Sequence, residues 1–150
     1  MGKLKIKLMR NHFKLEEVLP EYKTVGSAGM DLKAALTDPA TINPGERKLI
    51  PTGIAIALDH EEEVGLVYPR SGLSTKFGIA LANGVGVIDS DYRGEIFCPL
   101  INLSDQMYVL NPLERMAQLV IMPIKKVELE VVDDLEATCR GEGGFGSTGK

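Results

Sequence analysis

Hydrophobic and polar residues alternate near the start of the chain, where the segment KLKIKLM sets lysines between Leu4, Ile6 and Leu8. A period of two gives one buried face and one face in water, so this pattern predicts a β-strand. Apolar stretches of strand length continue along the chain, separated by turn residues: MDLKA, KLIPTGIAIAL, VGLVY, GIALAN, EIFCPLIN, QLVIMPI and VELEVV. The pattern predicts an all-β barrel or sandwich of about eight or more short strands.

Turn and helix signals support the same fold class. The segment NPGE places Pro44 and Gly45 where a type II turn requires them, and IDSDYRG at 88–94 predicts the tip of a hairpin. Helical signals are limited to SGLSTKFG, with Ser71 as its cap, and to DDLEAT. We therefore expect a single domain with at most one or two short helices.

Composition limits the possible partners. The chain has 150 residues, which suits one domain, and its net charge of −4 lacks the basic excess of a duplex nucleic-acid binder. No stretch approaches the about 20 apolar residues of a membrane helix, and the N-terminus lacks the apolar region of a signal peptide. Cys98 and Cys139 form no CxxC pair, which favours reduced thiols. We expect a cytoplasmic protein that binds neither nucleic acid nor membrane.

Any general base is expected to be a carboxylate, because the chain has only two histidines, His12 and His60. Asp89 is the best candidate, since it follows an apolar strand and burial beside an anionic substrate would give it a useful pKa. Asp91 is close enough in sequence to share a metal, although Leu100 stands where an EF-hand requires glutamate. Considered alone, an aspartate in this position more often stabilises its own turn.

Three further stretches carry groups that bind phosphate. PRSG at 69–72 joins an arginine, a hydroxyl and a glycine, and ERMAQ at 114–118 contains Arg115 and Gln118. The C-terminal RGEGGFGSTG offers Arg140, hydroxyls and glycine backbone. It fits G-x-G-x-x-G and nearly fits a P-loop, but both motifs require a strand before them and a helix after them. Each stretch alone is typical of an ordinary surface, whereas together they indicate polyphosphate binding.

Five stretches resemble, in order, the five motifs of the trimeric deoxyuridine triphosphatases (dUTPases): SAGMDLKA, PRSGLSTKFGI, NGVGVIDSDYRGEI, ERMAQLVI and RGEGGFGSTG. They extend from residue 27 to 149, nearly the whole chain. The resemblance implies a jelly-roll-like distorted β-barrel over residues 1–139 and a flexible glycine-rich lid at 140–150. It also implies hydrolysis of dUTP to dUMP and pyrophosphate by a homotrimer whose active sites are shared between subunits.

The resemblance further implies roles for single residues. Asp89 would activate the attacking water, and Asp31 would touch the water shell of a Mg²⁺ ion held mainly by the triphosphate. Asn83 and its neighbouring backbone would pair with uracil, and Tyr92 would exclude a 2′-hydroxyl. Arg115 would support the site. The substrate-binding residues implied are Arg70, Ser71, Gly72, Asn83, Gly86, Val87, Ile88, Tyr92, Gln118, Arg140, Phe145, Gly146, Ser147 and Thr148.

Two alternatives remain open from the residues. A dCTP deaminase of related fold would need a glutamate at the amino position of the pyrimidine, and Glu95 is the only glutamate near that segment. A trimeric nucleotide-binding module without turnover would need neither the base nor the tail, both of which are present here.

Overall fold

Short strands dominate the structure, as the alternating pattern predicts. The computed structural model describes residues 2–144, and within this range it contains eleven strands and two short helices. The strands are β1 (Lys5–Leu8), β2 (Met30–Lys33), β3 (Ala40–Ile42), β4 (Arg47–Pro51), β5 (Ile54–Ala57), β6 (Glu63–Pro69), β7 (Ile79–Leu81), β8 (Gly86–Ile88), β9 (Phe97–Asn102), β10 (Tyr108–Leu110) and β11 (Arg115–Pro123). The helices are α1 (Leu15–Val18) and α2 (Ser71–Phe77).

Antiparallel pairing joins these strands in four sheets around one apolar core. Their orders are β1–β5, β3–β10, β2–β11–β6–β8 and β4–β9–β7. The largest fully buried side chains come from all four sheets and the segments between them, and include Leu32, Ile42, Ile54, Ile79, Ile96, Leu100, Leu110, Met116 and Leu119. The all-β, jelly-roll-like fold is thus confirmed, although the ladders within residues 2–144 do not close into one ring.

The segment 88–94 crosses between two sheets, so the predicted hairpin tip is wrong. β8 pairs with β6, whereas β9, which follows the turn, pairs with β4 and β7. Glycines allow this close pairing, because a Cβ on Gly65 would lie 3.2 Å from Cβ of Ile88, and one on Gly86 would lie 3.1 Å from Cβ of Val67. β8 is consequently an edge strand, and its second edge pairs with no strand in the described part of the chain.

The helices differ in detail from the sequence predictions. α2 begins at Ser71, so its cap residue is Arg70 and not Ser71 as predicted, and no side chain bonds to its first turn. It ends at Gly78, whose φ of 67° places it in the left-handed region that favours glycine. A Cβ on Gly78 would also lie 2.8 Å from the Ser104 nitrogen. The DDLEAT segment is not helical, because it is exposed and packs against no apolar face.

Regular structure ends at Pro123 in the described chain. Ile124 donates one more hydrogen bond to the Glu62 carbonyl at 2.8 Å, and residues 125–144 then form neither strand nor helix. The predicted VELEVV strand is therefore wrong for the single chain, since Val131 is 98% exposed and no neighbouring strand offers a partner edge. The NPGE turn is confirmed, with φ of 75° at Gly45. Among residues 2–144, no helix is long and apolar enough to span a membrane.

Candidate active site

A cleft of about 340 Å³ opens beside the edge strand β8. We call it the β8 cleft. It brings together six residues that the sequence analysis singled out: Asn83, Gly86, Val87, Ile88, Asp89 and Tyr92. The remaining wall is mainly apolar and consists of Leu49, Val67, Leu81, Glu95, Ile96, Phe97 and Pro99. An apolar wall facing unpaired strand backbone can hold a flat ring and offer hydrogen bonds to its edge.

The entrance to β8 is shaped by the short loop after β7. Gly84 donates to the Leu81 carbonyl at 3.0 Å and has φ of 72°, and Val85 donates to the Asn83 carbonyl at 2.8 Å. A Cβ on Gly86 would come within 3.7 Å of the Asn83 amide nitrogen, besides its contact with Val67. The Asn83 amide thus lies close to the β8 backbone at Gly86, where both can address one ligand.

The turn after β8 carries Asp89 and Tyr92. The Tyr92 backbone N–H donates to the Asp89 carbonyl at 3.1 Å, and Arg93 Nη1 donates to the carbonyls of Ser90 at 2.7 Å and Tyr92 at 2.9 Å. These bonds fix the turn. Asp89 is exposed in the single chain, so β8 alone does not bury this carboxylate. Burial of Asp89 would have to come from ligand or from another subunit.

Tyr92 is placed by its neighbours in sequence. Its hydroxyl donates to the Glu95 carbonyl at 3.0 Å. Its ring lies so close over Gly94 that a Cβ there would be 2.6 Å from the ring carbon Cζ. Glycine at position 94 therefore sets where the ring can lie, and the ring forms one side of the β8 cleft.

A second cleft, also of about 340 Å³, lies around the junction of β6 and α2. We call it the arginine cleft. Its lining contains the predicted phosphate-binding and metal-site residues together with three cationic side chains: Lys23, Ser27, Ala28, Gly29, Asp31, Arg70, Ser71, Gly72, Arg115 and Gln118. Because positive groups outnumber the single carboxylate, this cleft suits an anion.

Asp31 is the centre of the arginine cleft and is largely buried. Its Oδ1 lies 2.9 Å from Arg70 Nε, and its Oδ2 lies 2.9 Å from Arg115 Nη1. Arg70 Nη1 also donates to the Arg115 carbonyl at 3.1 Å. Each arginine keeps other N–H donors, since a guanidinium has five. One carboxylate therefore orients two guanidinium groups whose remaining donors can bind phosphate oxygens.

Gln118 and Gly29 complete this wall. Gln118 Nε2 donates to the Pro69 carbonyl at 3.0 Å, which holds its amide beside the start of α2. A Cβ on Gly29 would lie 2.7 Å from Gln118 Oε1, so the glycine leaves room for the amide group. Sequence analysis missed Gly29 as a contributor, because only the folded chain shows that its backbone faces Gln118.

The residues around Asp31 fit a magnesium ion that arrives with a triphosphate, and they do not fit an ion held by protein alone. Both carboxylate oxygens already bind arginine. Within residues 2–144, no three His, Cys, Asp or Glu side chains are grouped as metal ligands. Mg²⁺ commonly keeps several waters and binds through substrate phosphates, and Asp31 has lone pairs left for such a water.

The two clefts share no lining residue. Arg140, the remaining predicted arginine, lines neither of them: its Nε donates to the Gly143 carbonyl at 2.9 Å within a local turn. Phe145, Gly146, Ser147 and Thr148 lie outside the described residues. Within the described chain, different residues thus form the ring-binding half and the anion-binding half.

A ring-binding cleft beside an edge strand and a separate cationic cleft are typical of a protein whose ligand carries both a flat ring and negative charge. Nucleotides are such ligands. The chain belongs to the dUTPase family, whose model matches residues 16–149. The deoxyuridine 5'-triphosphate nucleotidohydrolase of Nitrosospira multiformis is 52% identical over 150 residues, covering 100% of this chain and 99% of the relative.

Solved structures agree with this assignment. A dUTPase mutant of Staphylococcus bacteriophage 80alpha, determined with dUpNHpp, superimposes with a TM-score of 0.83 at 28% identity and covers 100% of both chains. A mutant dUTPase from phage phi11 of S. aureus has a TM-score of 0.78 at 25% identity, with 91% of this chain and 100% of that chain covered. The latter structure describes the coordination of a structural Mg(II) ion.

Proposed function

We propose that this chain hydrolyses dUTP to dUMP and pyrophosphate, which limits uracil incorporation into DNA and supplies dUMP for thymidylate synthesis. The observation that carries the proposal is the β8 cleft, where Asn83, the backbone of Gly86–Ile88, Asp89 and Tyr92 surround one space. Membership of the dUTPase family supports the same reaction.

Uracil binds along the open edge of β8. The backbone N–H and C=O groups of that edge alternate as donors and acceptors, which is what the edge of a pyrimidine requires. The Asn83 amide offers a further donor and acceptor. Cytosine has a donor at its amino group and an acceptor at the adjacent ring nitrogen, which is the reverse of uracil. It would leave buried polar groups unpaired, at a cost of roughly 1–3 kcal/mol per group.

The triphosphate binds in the arginine cleft of a neighbouring subunit of a homotrimer. Arg70, Ser71, Gly72 and Gln118 contact phosphate oxygens, and Arg115 holds Asp31 and thereby Arg70 in position. Membership of the dUTPase family supports this arrangement, and within residues 2–144 no residue lines both clefts. When bound to the triphosphate, Mg²⁺ would screen its negative charge and stabilise the charge of the transition state. Asp31 would accept a hydrogen bond from a water of that ion.

Asp89 activates the water that attacks the α-phosphorus. It accepts a proton from the water as the new P–O bond forms, and the bond to pyrophosphate breaks. The fixed turn between Asp89 and Tyr92 supports this role, since a base must be held within hydrogen-bond reach of its water. Arg140, Phe145, Gly146, Ser147 and Thr148 of a third subunit would cover the bound nucleotide and exclude other water.

A pyrophosphate-release assay tests the function directly. The full chain and a version ending at Thr138 are each given dUTP, dCTP, dTTP and UTP with Mg²⁺. We expect release from dUTP alone, and a loss of about a hundredfold in the shortened chain, because Arg140 and the tail stabilise the reacting phosphates. Equal turnover of all four nucleotides would contradict the proposed selectivity, and full activity of the shortened chain would contradict the role of the tail.

Ammonia release and nucleotide binding separate the alternatives. Oε1 of Glu95 accepts hydrogen bonds from Arg10 and from the Gly53 N–H, which holds this carboxylate in a structural pairing and disfavours the role that a deaminase requires. Release of ammonia from dCTP would restore the deaminase. Binding of dUTP without hydrolysis in Mg²⁺ would favour the binding module.

A further inference from the structure

Glu95 ties the β8 cleft to a rigid part of the core. Its Oε1 accepts a hydrogen bond from the Gly53 backbone N–H at 2.9 Å. Gly53 itself is held tightly, because it has φ of 77° and a Cβ there would lie 3.0 Å from Ala35 Cβ. The preceding residue is fixed as well, since Thr52 donates to the Ile96 carbonyl from both its backbone N–H and its hydroxyl. The start of β9 is therefore anchored to the segment before β5.

Arg10, near the N-terminus, binds the same Glu95 carboxylate. Its Nε lies 2.6 Å from Glu95 Oε1, and only 12% of the Glu95 side chain is exposed. The Met9 N–H donates to the Gly53 carbonyl at 2.8 Å, so the backbone of this N-terminal segment is bound to the same glycine. The guanidinium also lies 5.9 Å from the ring centre of Phe97, which lines the β8 cleft. A charge-assisted bond in such a shielded place constrains Glu95 more than a neutral one would.

Glu95 in turn holds Tyr92 through a hydrogen bond. The Glu95 carbonyl accepts the Tyr92 hydroxyl at 3.0 Å, and the ring has no other polar anchor in the described chain. A shift of the Glu95 backbone therefore moves the tyrosine ring that limits the β8 cleft. Arg10 lies before the residues 16–149 that the family model matches and is itself not among the residues that line either cleft.

We propose that Arg10, acting through Glu95, is a positioning residue that holds Tyr92 against the sugar and so determines the preference for deoxyribose over ribose. This inference rests on the proposed function of the β8 cleft. Its distinctive consequence is that loss of a charge outside both clefts should change which nucleotide is accepted, because Tyr92 excludes a 2′-hydroxyl only while its ring is held in place.

The test compares Arg10→Met, Arg10→Lys and Glu95→Gln with the unchanged full-length protein. Methionine keeps an apolar stem against Phe97 but removes the charge, and lysine restores the charge. We expect Arg10→Met to raise KM for dUTP about tenfold with kcat within about twofold, as loss of one charged hydrogen bond suggests. The ratio of kcat/KM for dUTP over UTP should also fall about tenfold. Arg10→Lys should recover most of this ratio, and Glu95→Gln should fall between them.

Lys48→Met is the matched control. Lys48 forms an ion pair with Glu46 at 3.5 Å and lines neither cleft, so its loss should leave the ratio unchanged. Thermal unfolding shows whether each variant is folded. If Arg10→Met does not fold, Glu95→Gln still carries the comparison with the unchanged protein. An unchanged ratio in folded Arg10→Met, or in folded Glu95→Gln, would overturn the inference.

Binding of non-hydrolysable analogues distinguishes failure of the inference from failure of the proposed function. The dissociation constants of dUpNHpp and its ribose counterpart are measured for each variant. If the unchanged protein binds dUpNHpp selectively but releases no pyrophosphate from dUTP, the hydrolytic function fails. In that case, the ratio of the two dissociation constants, compared between Arg10→Met and the unchanged protein, tests the role of Arg10. Protein that binds neither analogue would overturn both proposals.

Discussion

The β8 cleft and the arginine cleft have similar volumes but are built in opposite ways. The first is formed mainly by residues within 83–92 and by apolar side chains behind them, and it includes the edge strand β8. The second is formed by side chains from four separate segments, held by a buried carboxylate between two arginines. Fixed backbone geometry can discriminate between bases and sugars. Side-chain charge attracts any triphosphate equally.

Variants of the two clefts should therefore differ in their effects. A change in the β8 cleft should alter which nucleotide is accepted or whether it reacts. A change in the arginine cleft should alter how tightly every triphosphate binds, in a way that salt weakens. The variants below test this division.

Asp89→Asn should have the largest effect. Asparagine has nearly the same shape but does not accept a proton from water, so turnover of dUTP should fall by about 10²–10⁴, the usual contribution of a general base. The dissociation constant of dUpNHpp should change little. Pyrophosphate release and calorimetric binding measure the two effects separately.

Asp91→Asn is the control for this variant. Asp91 lies two residues further in the same turn and lines neither the β8 cleft nor the arginine cleft. It should keep near-normal turnover. If the Asp91 variant were the inactive one, the assignment of the base would be wrong, and so would our view that the β8 cleft carries the chemistry.

Arg115→Met should have the next largest effect, and a different kind of effect. It leaves Asp31 with Arg70 alone and removes one positive charge, so KM for dUTP should rise about tenfold. The preference for dUTP over UTP should not change. The dependence of KM on salt should become weaker than in the unchanged protein. Lys48→Met again serves as a control, and a changed sugar preference in Arg115→Met would refute the division between the clefts.

The two clefts also differ in how far the sequence predicted them. Candidate residues of the β8 cleft lie within one continuous stretch, so the single motif NGVGVIDSDYRGEI of the family resemblance contains both Asn83 and Tyr92. The ion pair between Asp31 and Arg115 joins residues 84 positions apart. No local pattern shows such a pairing, because it depends on β2 and β11 being neighbours in a sheet.

Strand pairing explains the main errors. The polar segment 88–94 signals a reversal of the chain, but a reversal does not say which strands it separates. Gly65 and Gly86 let β8 pair with β6, and this choice was not visible in the segment itself. Likewise the alternation in VELEVV indicates a strand, but the described chain supplies no partner for it. Long-range partners, and partners from other subunits, are what local patterns leave out.

Gly94→Ala should have a smaller effect, confined to the β8 cleft. The added Cβ collides with the Tyr92 ring, which can swing away because it ends an exposed side chain. Loss of the bond to Glu95 should raise KM for dUTP about threefold and lower the dUTP-over-UTP ratio. The control is Gly26→Ala, since a Cβ on Gly26 would meet nothing within 4 Å. Kinetics identical to the unchanged protein would mean that Tyr92 does not depend on position 94.

Substitution of Cys98 tests how tightly β9 is packed behind the β8 cleft. This substitution should have the smallest effect on function. Cys98 lies in β9 between Phe97 and Pro99, and burial raises the pKa of its thiol from 9.0 to about 12. Above pH 9 the unfolded chain loses this proton while the folded chain keeps it. The free energy of unfolding should therefore fall as pH rises from 9 to 12, by up to about 1.4 kcal/mol per pH unit.

Denaturant unfolding at a series of pH values measures this slope. Burial and the hydrogen bond to Glu114 also raise the pKa of Tyr108, which adds a slope of the same sign above about pH 10. The decisive window is therefore pH 9–10. There Cys98→Ala should remove the slope, even though the lost sulfur lowers stability at every pH, while Cys139→Ala should keep it, because Cys139 is exposed. If the slope persisted in Cys98→Ala, it would come from another group. The Cys98 thiol would then titrate alike in the folded and unfolded chains, and β9 behind the β8 cleft would not be packed tightly enough to exclude a thiolate.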